Sequence, residues 1–182
     1  MTEKLNQSLD EFLARYSAKN PTLHTQFDND WISPCASVSA DDGEWVSWKP
    51  VLQSDENNFA DMENALELTI NPQLKAYYTR YYADHLEANT NRGALTLLQV
   101  WNKDDFERLQ QNLIGHVLMK RKLKQSITLF FAMTDEDDFI ISVENDSGQV
   151  VLEQVGKEPK EVLAPDLATF IADLTPQEAP QP

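Results

Sequence analysis

The chain has 182 residues, with 30 acidic and 15 basic side chains, a formal net charge of −15, five glycines and one cysteine. That length suits one domain, able to bury roughly 70% of its unfolded surface without staples, and the lone Cys35 excludes an intramolecular disulfide. A field of this sign opposes nucleic acid and bare anionic lipid and suits a basic partner, although acidity also serves plain solubility.

The start, MTEKLNQSLDEFLARYSAKN, is charged throughout and has no apolar core of the secretory kind. No run approaches the roughly 18 apolar residues of a membrane span. Residues 2–19 read as an amphipathic helix with Leu5, Leu9, Phe12, Leu13 and Tyr16 on one face, stopped by Asn20-Pro21. Residues 20–44 read as a long loop anchored by Trp31 to Cys35. Trp45, Val46 and Trp48 suggest a short strand ended by Pro50. Ser54 is placed to cap a helix running to about Ile70, with Phe59, Met62, Leu66 and Ile70 inward. Glu56, Glu63 and Glu67 would flank that apolar row, either as a functional acidic stripe or as a solvated edge partnered by Lys75 and Arg80. Asn71-Pro72 opens a second helix, with Tyr77, Tyr78, Tyr81 and Tyr82 read either as core packing or as interface tyrosines. A hairpin of 81–89 and 94–101 around Asn91-Arg92-Gly93 would bring Asp84 and Glu87 near the acidic helix.

The chain is organised around residues 94–124. Ala94–Val100 reads as a buried strand, and Asn102 caps the next helix, with Asp105 as its capping-box acid. From about Lys103 to Lys124, Phe106, Leu109, Leu113 and Val117 face inward, with Ile114 and Leu118 widening the stripe. Asp104 and Asp105 in the first turn, and Lys120, Arg121, Lys122 and Lys124 in the last, suit the helix dipole. Gly115, opposite the stripe, is either a tolerated glycine or a point of close approach. Ile127–Met133, Phe139–Val143 and Gln149–Val155 form an antiparallel meander with turns at 134–138 and 145–148. Pro165–Leu174 closes the domain as a helix, and 176–182 reads as a frayed polar tail after a single domain over 1–175. Residues 127–182 hold twelve acids and two bases, so Glu153 and Glu158 fall in the most acidic third of the chain. The expected class is α/β of the α+β type, a mostly antiparallel or mixed central sheet with flanking helices.

Material for catalysis is poor. His24, His85 and His116 form no metal-ligand pair at helical spacing, and one cysteine makes no usual structural zinc site. Cys35 reads as a buried structural thiol. The Asp135–Asp138 run lacks the layout of a calcium loop and reads as a solvated hairpin tip. No glycine-rich phosphate loop is present. No cofactor, metal, small-molecule substrate or enzyme activity is expected, although paired carboxylates keep a carboxylate hydrolase as an alternative.

LTLLQVWNKDDFERLQQNLIGHVL, Leu95 to Leu118, resembles the Syd family of SecY-interacting proteins of proteobacteria. The FLARY helix, the Ser33-Pro34-Cys35 loop, MENALEL, Asn71-Pro72-Gln73, the Ile127–Met133 strand, ISVENDSGQV and the final LATFIADL follow the same pattern in order. The resemblance implies a cytosolic, non-enzymatic protein with a sheet-and-helix fold related to the SUKH superfamily. Such a protein binds SecY, the channel subunit of the protein translocase, through a concave acidic groove. It attaches peripherally to the cytoplasmic side of the inner membrane through that partner, and is thought to monitor or sequester SecY not properly complexed with its other subunits. SecY's cytoplasmic loops should be rich in Lys and Arg, so an acidic face complements them. The residues assigned to that face are Glu56, Glu63, Glu67, Asp84 and Glu87. An immunity-type module that neutralises a basic toxin would use the same acidic surface and is the alternative.

Overall fold

The computed structural model describes residues 2–54 and 56–182. In chain order the elements are α1 (Thr2–Lys19), β1 (Leu23–Gln26), β2 (Trp45–Trp48), β3 (Val51–Leu52), α2 (Ala60–Leu66), α3 (Pro72–Arg80), β4 (Tyr81–Tyr82), β5 (Leu86–Thr90) and β6 (Gly93–Leu97). Then come α4 (Lys103–Lys122), β7 (Thr128–Thr134), β8 (Phe139–Glu144), β9 (Val150–Gln154), β10 (Pro159–Ala164), α5 (Leu167–Ala172) and β11 (Thr175–Pro176). Seven strands make one sheet in the order β10-β9-β8-β7-β6-β5-β11, every pair antiparallel. This is the expected α+β class.

Strand alternation sorts the side chains between two faces. One cross-strand row runs Leu86, Leu97, Ala132, Ile141, Leu152, Glu161. The next, pointing the other way, runs Glu87, Thr96, Met133, Ile140, Glu153, Pro159. The first face is covered by α1, α3 and α5. α1 buries Leu5, Leu9, Phe12, Leu13 and Tyr16 against α3 and α5, and Phe131 meets Tyr77 of α3 and Phe170 of α5 edge-on. The second face carries α4, which buries Phe106, Leu113 and Val117.

The caps follow from the sequence. Asn71 accepts from the Gln73 amide, and Asn102 from the Asp105 amide at 2.8 Å. Asp105 reaches one residue further back than a capping box, accepting from the Trp101 amide at 2.8 Å. Gln73 joins three segments. It donates to the Gly148 carbonyl and accepts from the Leu167 amide, so the start of α3, the β8–β9 turn and the start of α5 are tied together. Gly148 has φ +75°, and a Cβ there would lie 2.6 Å from the Gln73 side chain, so glycine is needed twice over.

Several expectations change. The helix expected over 54–70 is reduced to the seven residues of α2, about two turns. Glu67 ends it in the left-handed region at φ 49°, and its amide bonds back to the Asn64 and Glu63 carbonyls. The loop expected at 20–44 contains β1, paired with β2. Strand β10, unassigned because Pro159 and the charged pair Lys160-Glu161 obscure its pattern, forms one edge of the sheet. The tail expected to fray is held: β11 pairs with β5, the Gln177 amide donates to the Glu87 carbonyl, and the Ala179 amide donates to Asn20. In α4, Leu109 is only half-buried and Leu118 is 52% exposed, because α4 lies over one half of the sheet and leaves that flank to solvent. Nothing approaches Gly115, so it is a tolerated helix glycine.

The largest departure is Lys120. The sequence places it among the last-turn basic residues that suit the helix dipole, and its side chain is fully buried. Its Nζ lies 2.6 Å from Oε1 of Glu153, which is equally buried, and donates to the Lys157 carbonyl at 2.8 Å. Among the described residues Glu153 has no well-aligned hydrogen bond, so the ammonium alone answers its charge. His116, one turn earlier, sits 2.9 Å from the Thr128 hydroxyl and edge-on to Phe130. Burial depresses its pKa, and the Lys120 charge adds to that while Glu153 opposes it.

Candidate functional site

The residues assigned from sequence do not form one surface stripe. Glu56 is exposed in the loop before α2, and Glu67 is at its left-handed C-cap. Glu63 is already engaged: it accepts from the Ile70 amide at 2.9 Å and pairs with Lys75 at 3.4 Å. Arg80, the other expected partner, instead clamps Asp10 through two nitrogens and holds its carboxyl below the usual range. Asp84 and Glu87 both act on Tyr16. Burial first, then these two carboxylates, push the Tyr16 phenol up to about 12. Asp84 accepts from the His85 amide, and Glu87 accepts from the Thr96 hydroxyl.

A different feature is concave. Between α5 and the ends of β6 to β10 lies an open groove of about 590 Å³. Its floor is the apolar row of the first sheet face: Leu95 and Ile141 are buried, and Phe139, Leu152 and Leu163 are half-buried. Phe170 of α5 forms a wall, held edge-on to Phe131 at 5.6 Å. The rim is charged, with Asp135, Glu136, Glu161 and Asp173 against Arg92 and Lys160. Asp135 and Glu136 are presented by the β7–β8 turn, which Thr134 pins by donating to the Phe139 carbonyl and accepting from the Glu136 amide. Asp173 is the C-cap of α5, where the helix's negative end disfavours a carboxylate. A charge kept there against local stability suits a role outside the fold.

None of the five sequence-assigned acids lines this groove. Sequence reasoning passed over its acids because Asp135 and Glu136 looked like a solvated tip and β10 was not seen as a strand. The available signal was weak: a short β-branched and apolar run, Val162-Leu163-Ala164, after the Gly156 turn.

The site offers little chemistry. Cys35 is buried, and its thiol is pushed up to about 11 by that burial, which makes it a poor nucleophile. Among the described residues no group of three His, Cys, Asp or Glu side chains is placed to hold a metal. Among them, too, no helix is long and apolar enough to cross a membrane.

Together these features define an α+β protein built on one antiparallel sheet, with an open, acid-rimmed groove over one face. Residues 2–176 match the family model described as Syd protein (SUKH-2). Protein Syd of Pseudoalteromonas atlantica is 48% identical over 182 residues, covering 97% of this chain and 98% of that protein. Protein Syd of Alteromonas mediterranea is 48% identical over 181 residues, covering 98% and 100%, and that of Colwellia psychrerythraea is 44% identical over 186, covering 94% and 92%. The chain belongs to the Syd family.

Proposed function

We propose that this protein is a non-enzymatic regulator that binds the SecY subunit of the protein translocase from the cytoplasmic side. It is peripheral to the inner membrane, and it monitors or sequesters improperly complexed SecY. The observation that carries the reading is the groove: an apolar floor beneath a rim on which acids outnumber bases, four to two. Basic cytoplasmic loops with aliphatic stems match both features, the stems on the floor and the charges at the rim. The acids named from sequence are the rival surface, and Asp84 and Glu87 are the two among them that act on Tyr16.

The test is retention of detergent-solubilised SecY by the immobilised protein and by three double variants. Glu136→Lys with Asp173→Lys should lose most of the binding through like-charge repulsion, while thermal melting stays near that of the parent. Glu63→Lys with Glu67→Lys, and Asp84→Lys with Glu87→Lys, should retain it. Loss with either of the latter and none with the groove variant would move the site to the sequence-assigned acids. No retention of SecY by the parent protein, under conditions where an unrelated membrane protein of similar charge is equally excluded, would sink the partner assignment.

A further inference from the structure

Arg92 belongs to the β5–β6 turn and Glu161 to β10, on opposite sides of the groove, yet the two side chains form an ion pair. Strands β6 and β10 are four steps apart in the sheet. At about 4.8 Å per step a flat sheet would separate them by roughly 19 Å. The contact therefore records how far the sheet curls, and it lays a cationic strap across the mouth of the groove. The second rim cation, Lys160, is also turned onto the site, with its ammonium 5.1 Å from the centre of the Phe139 ring. Both cations of the rim thus rest on groove elements, a carboxylate and an aromatic face. Asp135, Glu136 and Asp173 carry no ion pair among the described residues.

We propose that the groove is occupied by its own chain in the free protein: Glu161 and the Phe139 ring are the receptors for a basic side chain of the partner, and Arg92 and Lys160 are the competitors it displaces. This rests on the reading of the groove as the binding site, and it adds the ligand class. That class is an extended peptide segment carrying an arginine or lysine between aliphatic residues, its cation on Glu161 and Phe139 and its aliphatic neighbours on Leu152 and Leu163. An arginine suits the carboxylate because the guanidinium fork is flat and bidentate, as in the intramolecular pair it replaces. A lysine suits the ring through cation–π attraction. The strap also gives selectivity: a neutral apolar segment gains nothing by displacing Arg92 and meets the strap as an obstacle.

The test is an NMR titration of the full chain with the peptide Ac-Leu-Arg-Leu-NH2, with its neutral citrulline analogue as control. Shifts should centre on the amides of Phe139, Ile141 and Leu152 for the arginine peptide and be absent for the citrulline one. Arg92→Ala should tighten binding about two- to fivefold, the factor an exposed ion pair is worth as a competitor. Glu161→Gln should weaken it about tenfold or more. Both sites are partly exposed, and melting curves confirm that each variant is folded. Unchanged or weaker binding by Arg92→Ala makes the strap a scaffold and overturns the proposal, as does equal binding of both peptides or no binding of either. SecY retention measured on the same variants separates the two readings. SecY bound while the peptide result fails leaves the partner standing without self-occupancy, and the peptide result without SecY leaves the site standing with another basic partner.

Discussion

Glu153 and Glu161 lie on adjoining strands joined by one short turn, and each is paired with a basic residue from a distant part of the chain. Their registers send them to opposite faces. Glu161 shares a row with Leu152 and points into the groove, while Glu153 sits opposite Pro159 and points beneath α4. Arg92 and Glu161 keep 53% and 34% of their side-chain surface, whereas Lys120 and Glu153 keep none. The chemistry of the two pairs is the same, and solvent decides what each does. In water an ion pair is exchangeable, since either partner can be hydrated or replaced by another charge at little cost. Under a helix the Glu153 carboxylate has no other partner among the described residues and neither charge can be hydrated, so the pair ties α4 to β9, although an apolar pair of equal volume would hold it as firmly.

The largest effect expected from this contrast is at Lys120. Lys120→Met leaves the Glu153 carboxylate buried and alone, and should cost about 3–5 kcal/mol in urea unfolding. Lys120→Met with Glu153→Leu removes both charges and should recover most of that loss. If the double variant is no more stable than the single one, the pair is more than two charges cancelling. Reversing Glu153 as a surface control, as its place in the acidic third of the chain suggests, would instead unfold the domain.

His116 gives the next effect. Its native pKa lies below the ordinary 6.5, so the unfolded chain binds a proton that the folded chain refuses. Stability from this group is complete above about pH 6.5 and declines as pH falls from there toward the native value. The groups facing His116 are Thr128, Lys120 and Glu153, of which only the last favours its protonation. Urea midpoints at pH 7.5 and 5.5 should therefore differ for the parent, and differ less for His116→Asn. An equal pH difference in both proteins would take the effect away from His116; Asp10 and Asp166, whose carboxyls are lowered from 3.8, lose their stabilisation only below that range and do not act between pH 7.5 and 5.5.

What was legible in the sequence follows the same division. Local signals carried through: the Asn71 and Asn102 caps, the Phe106, Leu113 and Val117 core of the α4 stripe, the hairpin at Asn91 to Gly93 and the meander after it appear where spacing placed them. The Syd resemblance rested on the α4 core, the meander and further segments from the FLARY helix to LATFIADL, and it held. The failures were mostly tertiary, with one local exception. Lys120 sits on a turn where basic residues normally meet the helix dipole, and only the position of β9 reveals that it points inward. Helix 54–70 failed because periodicity continued past Leu66 while the backbone turned left-handed at Glu67. The groove was invisible because its walls come from residues about 80 apart, joined by a curl that no single strand encodes.

The smallest expected effect is the most informative about the groove. Arg92→Ala should change stability by less than about 1 kcal/mol, a melting shift of roughly 2–4 °C at most for a chain of this length. The sign of its salt dependence is the sharper reading. Between 20 mM and 500 mM salt the Debye length falls from roughly 20 Å to about 4 Å, which screens an exposed pair and leaves a buried one nearly untouched. The stability difference between parent and Arg92→Ala should therefore vanish at high salt, while that between parent and Lys120→Met persists. If the Arg92 difference survives 500 mM salt, the strap is holding the curl of the sheet by packing as well as charge. A basic segment entering the groove would then have to reshape the sheet, not simply exchange one cation for another.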